Sequence, residues 1–309
     1  MVKKNEQVQS QRKPLTIKQR NRLNGYLFLL PNIIGFLIFI LVPVIVSFGM
    51  GFVEWNGFGS PTFIGLDNYA RLMQDDNFKI SFMNSIVFMV LTVPLTLFLA
   101  LVVAVWLNAG IKFLKVFRTA IFLPYVTSTI AIAVVWQLIF NPSKGPVNMF
   151  LHNLGIENLP GWFASSSWAL VAVSIVYIWN SVGYYMVLYL AGLQGVPDHL
   201  YEAAEIDGAS RLQRILHITL PGMKSVIVIL LIMNLGHILE SGFEPQYLLG
   251  NGMNVDYSEN LDIFVLKYGM NMGNYGLATA AGMFKTVVSF IFLMVANNVA
   301  KRLGESRLY

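Results

Sequence analysis

The sequence predicts an all-α membrane protein with six transmembrane helices, and three observations carry that prediction. Of its 309 residues 56% are hydrophobic and only 12% charged, against roughly 25% charged in an average soluble domain. Six segments, at 27–52, 84–107, 119–140, 168–192, 222–239 and 277–298, are apolar over the length a membrane-crossing helix needs, which is ~20 residues. The basic residues between those segments fall unequally on alternate sides, as they do across a membrane.

In chain order, residues 1–24 form a basic polar tail, with Leu15, Ile17 and Leu23 set among Lys18, Arg20 and Arg22. That pattern allows either a short helix on the membrane surface or a plain charged tail. The first apolar run is too long for a secretory leader and has no small-residue cleavage site after it, so it is expected to stay as a span. The six-helix domain runs over 25–300, and 301–309 forms a short tail. The first four spans carry no charge, the fifth holds Lys224 and His237, and the sixth holds Lys285. Pro31, Pro43, Pro94 and Pro124 start or kink these helices without forbidding them.

With the N-terminus in the cytoplasm, Lys3, Lys4, Arg12, Lys13, Lys18, Arg20, Arg22, Lys112, Lys115, Arg118, Arg211, Arg214, Lys301, Arg302 and Arg307 lie inside, against Arg71, Lys79, Lys144 and Lys267 outside. The net charge of +5 therefore reads as topology, with both termini cytoplasmic, and not as a nucleic-acid surface. Trp55, Trp162, Trp168, Tyr257 and Tyr275 fall near outer span ends, as an interfacial belt requires.

Between the fourth and fifth spans lies a polar hairpin, 198–221. Asp198 after Pro197 is placed to cap a first helix over 199–207, and Asp207-Gly208 closes it, with Gly208 free to take positive φ. Ser210 and Gln213 read as a capping box that opens a second helix, which Pro221 is expected to stop.

That hairpin carries a resemblance. Glu202-Ala203-Ala204, three residues, Gly208, nine residues and Ile218-x-Leu220-Pro221 match, without a gap, the signature loop of permease subunits of binding-protein-dependent ABC importers. Weaker echoes run along most of the chain. Phe63-Ile64-Gly65-Leu66-Asp67-Asn68-Tyr69, Phe122-Leu123-Pro124 followed by Gly145 and Asn148, and Leu193-Gln194-Gly195-Val196-Pro197 are similar to the maltose, lactose and multiple-sugar class. The resemblance implies the type I importer permease fold, as in the maltose transporter, in the cytoplasmic (inner) membrane of a bacterium. It implies a second, different permease subunit, two cytoplasmic ATPase subunits and an extracytoplasmic solute-binding protein as partners. Carried over by position, Glu202 would meet basic groups on the ATPase, Ala203 and Ala204 would allow close approach, and Gly208 would form the bend.

The chain has no phosphate loop of the Gly-x-x-x-x-Gly-Lys-[Ser/Thr] type, no Gly-x-Ser-x-Gly and no His-Glu-x-x-His. It also has no cysteine, and its four histidines are scattered, so neither catalytic nor metal-ligating residues nor a cofactor are expected. ATP hydrolysis is expected from a separate subunit. Polar and aromatic residues inside spans point instead to a substrate path. Tyr177, Asn180 and Tyr184 in the fourth span, and Asn234, His237 and Glu240 in the fifth, suit a sugar, with amides and carboxylates for hydroxyls and rings for C–H faces. Asn180 and Tyr184 share one helix face. Lys285 lies about 12 Å into the last span at 1.5 Å per residue and needs a partner. Glu240 and Glu244 are the expected ones, an anionic sugar the alternative.

Two other functions stay open on the residues alone: import of a non-sugar solute such as a phosphate ester or peptide, and ion-driven secondary transport. The second usually shows repeats or intramembrane carboxylates, and the spans have none near mid-membrane. The charge asymmetry makes a direct prediction in a cysteine-free chain. Asn153→Cys reacts with an impermeant thiol reagent from outside, and Ser210→Cys only from inside; the opposite pattern refutes the topology.

Overall fold

A computed structural model describes residues 16–241, 243–250 and 255–302. It contains four helices long and apolar enough to span a membrane, or six when each of two sharply bent helix pairs is taken as one span. The first helix, α1 (Ile17–Met50), forms a unit of its own to Gly49, and the remaining chain forms a second. α1 opens on a Thr16–Gln19 capping box, so Ile17–Leu23 belongs to the span's own helix and not to a separate surface helix. It passes through a π-turn at Leu37–Leu41, two residues before Pro43. The wider turn gives the proline ring room where it would otherwise strike the preceding turn's carbonyl.

In the second unit a small hairpin, β1 (Val53–Glu54) against β2 (Thr62–Phe63), precedes α2 (Asp67–Gln74). Asn68 ties these pieces together. It is buried, and its amide donates to the carbonyls of Gly51 and Val53 at 3.1 and 2.9 Å. Gly276 lies against the same strand, where a Cβ would sit 2.1 Å from the Val53 carbonyl oxygen.

The long α3 (Asp76–Asn108) packs along α7 (Ser166–Leu193). Among the buried residues of α3, Ser81, Ser85, Thr92, Thr96, Ala100 and Ala104 are small and alternate with larger ones such as Phe88, Met89 and Leu97. Small residues bring helix backbones together in lipid, where apolar burial gives little drive between helices. Two of the hydroxyls are satisfied by their own helix, Ser85 donating to the Ser81 carbonyl at 2.8 Å and Thr92 to the Phe88 carbonyl at 2.7 Å. Phe98, Val90 and Val102 face outward, as a lipid-facing surface demands.

The third predicted span is two helices, α4 (Leu114–Val126) and α5 (Thr129–Ile139), bent by 99° at residues 127–128. A proline at 124 leads into the break and Ser128 starts the second piece; the sequence expectation of one kinked span missed its size. After it, α6 (Pro146–Asn153) is held by Asn148, which donates to Pro142 and Pro160 carbonyls at 2.9 Å each and accepts from the Trp162 indole at 2.7 Å. Gly145 admits no side chain, because a Cβ would fall 2.5 Å from the Asn141 and Ile139 carbonyl oxygens.

Beyond α7 come the two hairpin helices, α8 (Asp198–Ile206) and α9 (Arg211–Gly222). The fifth span, α10 (Lys224–Ser241), is bent from α9 by 63°. Then follow α11 (Phe243–Leu249), α12 (Val255–Ser258), α13 (Leu261–Leu266) with a π-turn at Lys267–Asn271, and α14 (Tyr275–Arg302).

Lys285 on α14 pairs with Asp262 on α13 and not with the expected Glu244; the side chain of Glu240, the other expected partner, lies outside the described residues. The reason is placement: α13 packs directly on α14, so the carboxylate of Asp262 reaches the lysine. Nearby, Lys267 meets the buried Glu259 at 3.3 Å, and burial pushes the Tyr268 phenol up from its ordinary value. Removing one member of a largely buried ion pair leaves the other charge desolvated without its counter-ion, a loss of about 3 kcal/mol, while an apolar pair of similar volume is often neutral. Lys285→Met is therefore expected to destabilise the protein clearly and Lys285→Met with Asp262→Leu to recover most of the loss, read as unfolding midpoints in detergent.

Candidate functional site

The break between α4 and α5 opens a cavity of about 420 Å³ beside α7. Tyr125 and Thr129 line it on either side of the break, Tyr177, Asn180, Ser181 and Tyr184 from α7, and Glu244 and Pro245 from α11. The break is held by Asn180, whose side-chain N–H donates to the Pro124 carbonyl at 2.7 Å. That bond gives a second donor to a carbonyl that the Thr127 backbone N–H also reaches at 3.2 Å, at the place where the regular helical ladder ends. α7 can come this close because of Gly183: a Cβ there would lie 2.2 Å from the Ile121 carbonyl oxygen.

Aromatic rings build one wall. Tyr125 and Tyr184 stack with centroids 4.7 Å apart and planes at 23°, and Tyr185 meets Tyr184 edge-on at 5.1 Å. Tyr177 is held from behind by Phe88, centroids 5.2 Å apart. The result is a flat apolar platform ringed by hydroxyls, an amide and a carboxylate, the composition of a site for a neutral polar ligand with C–H faces.

Of the residues the sequence selected for a substrate path, Tyr177, Asn180 and Tyr184 meet in this cavity. Asn234 does not line it; its residue is fully buried, on a helix that packs against α3 and α14. Lys285 is committed to Asp262. The side chains of His237 and Glu240 lie outside the described residues. Tyr125, Thr129 and Glu244 were missed as lining residues. The signal for the first two was available: hydroxyl side chains flanking a proline within an apolar span mark a place where the backbone leaves its ladder.

At the other end of α7 the hairpin is built from local bonds. α8 ends in a Schellman motif, with Ala209 N–H donating to the Ala204 carbonyl at 2.8 Å and Gly208 N–H to the Glu205 carbonyl at 3.1 Å. Gly208 sits at φ +73°, the left-handed conformation this motif favours in glycine. Asp198 is the first residue of α8, whose N-cap is Pro197 without a side-chain bond; the proline's fixed φ already sets the extended entry that a capping aspartate would have supplied. The Ser210–Gln213 capping box forms. Pro221 does not stop α9, because a π-turn at Ile215–Thr219 makes room for it, and the helix bends only after Gly222. Arg214 bridges to Glu205 at 3.3 Å, and the Tyr201 and Thr219 hydroxyls bond at 2.9 Å, closing the two helices on each other. Glu202, Ala203, Asp207, Gly208 and Pro221 are exposed, with Ala204, Ile218 and Leu220 half-buried. Ile206 is 87% and Leu212 65% exposed, leaving an acidic and apolar tip.

Comparison with known proteins places this geometry. Residues 82–305 match the family model described as "Binding-protein-dependent transport system inner membrane component". The polygalacturonan/rhamnogalacturonan transport system permease protein YteP of Bacillus subtilis is 33% identical over 303 residues, covering 96% of this chain and 94% of that one. The trehalose/maltose transport system permease protein MalF of Thermococcus litoralis is 32% identical over 286 residues, covering 92% and 96%. Among solved structures, a chain of a bacterial alginate ABC transporter, in complex with an alginate pentasaccharide-bound periplasmic protein, superposes with a TM-score of 0.84 at 29% identity, covering 94% of this chain and 98% of that one.

The two contacts between α4 and α7 differ in kind, so their removal is expected to differ in size. Asn180→Leu forfeits one hydrogen bond to a carbonyl, about 1 kcal/mol. Gly183→Ala drives a methyl group into backbone and costs about 1–3 kcal/mol. Thermal unfolding of the purified variants checks the order; a larger shift for Asn180→Leu contradicts it.

Proposed function

Because the chain belongs to the binding-protein-dependent transport system inner membrane components, we propose that it forms one half of a translocation path for a sugar or oligosaccharide. In this reading a solute-binding protein delivers the sugar outside, a second permease completes the path, and two ATPase subunits drive the switch through the 198–221 hairpin. Both termini lie in the cytoplasm. The observation that carries the substrate class is the cavity at the helix break, where the stacked Tyr125–Tyr184 pair faces the Thr129 and Ser181 hydroxyls and the Asn180 amide. The carbohydrate names of the similar permeases support the same class. Tyr177, Asn180 and Tyr184 then contact substrate, while Asn234 serves packing and Lys285 its ion pair.

The coupling role rests on the exposed Glu202, Ile206, Asp207 and Leu212 of a hairpin whose fold is locked by its own caps. Glu202 meets a basic partner, Ile206 and Leu212 enter an apolar groove, and the Gly208 bend fixes the angle between the two helices. A rigid hairpin is what a mechanical coupling needs, since a slack one would absorb the motion.

Reconstitution with the partner subunits tests both ends. Tyr125→Ala with Tyr184→Ala is expected to lower sugar uptake at least about ten-fold while basal ATP hydrolysis persists, because the variant removes both ring faces of the platform together with their mutual stack, itself worth about 0.5–1.5 kcal/mol beyond its area. Undiminished uptake in that double variant removes the cavity from the path. Glu202→Lys and Gly208→Pro are expected to leave the protein in the membrane but abolish substrate-stimulated ATP hydrolysis. Full stimulation in both would sink the coupling role.

A further inference from the structure

We propose that Glu244 makes this cavity selective by charge, admitting neutral and amino sugars and rejecting uronates. The inference rests on the reading of the cavity as the sugar path. Glu244 is the one carboxylate among the described lining residues, and none of those residues is a lysine or arginine. The lysines that could have offset this charge are engaged elsewhere, Lys285 with Asp262 and Lys267 with Glu259.

Hydrogen-bond polarity points the same way. One N–H of the Asn180 amide goes to the Pro124 carbonyl, leaving its second N–H and its oxygen for a ligand. Glu244 as a carboxylate only accepts. The one charged group of the lining therefore asks for donors. Sugar hydroxyls and ammonium groups donate; a uronate carboxylate does not, and would meet Glu244 as a like charge in a partly apolar space. Like-charge juxtaposition of this kind separates partners by roughly ten-fold or more. The chain would thus differ from the similar transporter of the acidic polysaccharide alginate and from the polygalacturonan/rhamnogalacturonan permease YteP, in spite of the shared family.

The test uses the assembled complex of this chain with its partner permease and ATPases in nanodiscs, without the binding protein, so that the permease alone selects. Equilibrium dialysis against radiolabelled cellotriose, trigalacturonate and the glucosamine trimer reads the three affinities. Cellotriose and the glucosamine trimer are expected to bind at least about ten-fold tighter than trigalacturonate. Glu244→Gln is expected to narrow that gap to about two-fold, and Glu244→Lys to invert it. Trigalacturonate binding as tightly as cellotriose in the unaltered complex, or a gap unmoved in both variants, overturns the charge selection and leaves the sugar path standing. Binding of none of the three overturns the sugar path itself, and the charge selection falls with it.

Discussion

Within a bilayer every backbone N–H and C=O must find a partner inside the protein, and the plan of this chain follows from that requirement. Long helices meet it by themselves, which is why α3 and α7 run unbroken and pack through small residues, with the Ser85 and Thr92 hydroxyls turned back onto carbonyls of their own helix. Where a helix cannot continue, another side chain has to serve the exposed groups. At the break before α5 the Asn180 amide joins the Thr127 N–H on the Pro124 carbonyl, and the same break is what makes room for a cavity. The site is thus a by-product of solving a backbone problem at that depth. A polar ligand fits there because the protein has already arranged polar groups around the interruption.

Prolines show the same constraint handled differently. Pro43 and Pro221 each follow a π-turn by two residues, so the chain widens a turn in place of breaking. Pro124, by contrast, precedes a true bend of 99°. A proline in the sequence announces that something must give, but the identity of the two or three residues before it does not say whether a turn widens or the helix stops. At Pro124 the helix stops with the Asn180 amide and the Thr127 N–H both on the Pro124 carbonyl, a contact that, for Asn180, comes from a distant helix.

This explains which parts were readable beforehand. Hydropathy marked the apolar segments, four of them continuous helices and two of them bent pairs, because lipid acts on each segment independently of its neighbours. Local chemistry was equally readable: the Ser210–Gln213 box and the Gly208 bend depend only on residues close in sequence. Lys285 showed its need for a carboxylate but not which one, since Asp262 is chosen by the packing of α13 on α14. Asn234 and Asn180 look alike as intramembrane amides, yet one is buried away from the cavity and the other holds its rim. Two residues of the family pattern prove to have architectural duties, Asn68 gathering the Gly51 and Val53 carbonyls and Asn148 those of Pro142 and Pro160.

The Lys285–Asp262 pair also bears on how the protein enters its membrane. A lysine near the centre of a spanning helix costs about 2.5–3.5 kcal/mol at insertion, enough to make the final helix hesitant on its own. Asp262 is synthesised 23 residues earlier, so its carboxylate is already present when Lys285 emerges. The last helix can then be received by chain that has gone before it, and its insertion becomes cooperative with the folding of α13. Biogenesis of this subunit therefore has a preferred direction, in which the segment 261–266 acts as the internal receptor for the helix that completes the bundle.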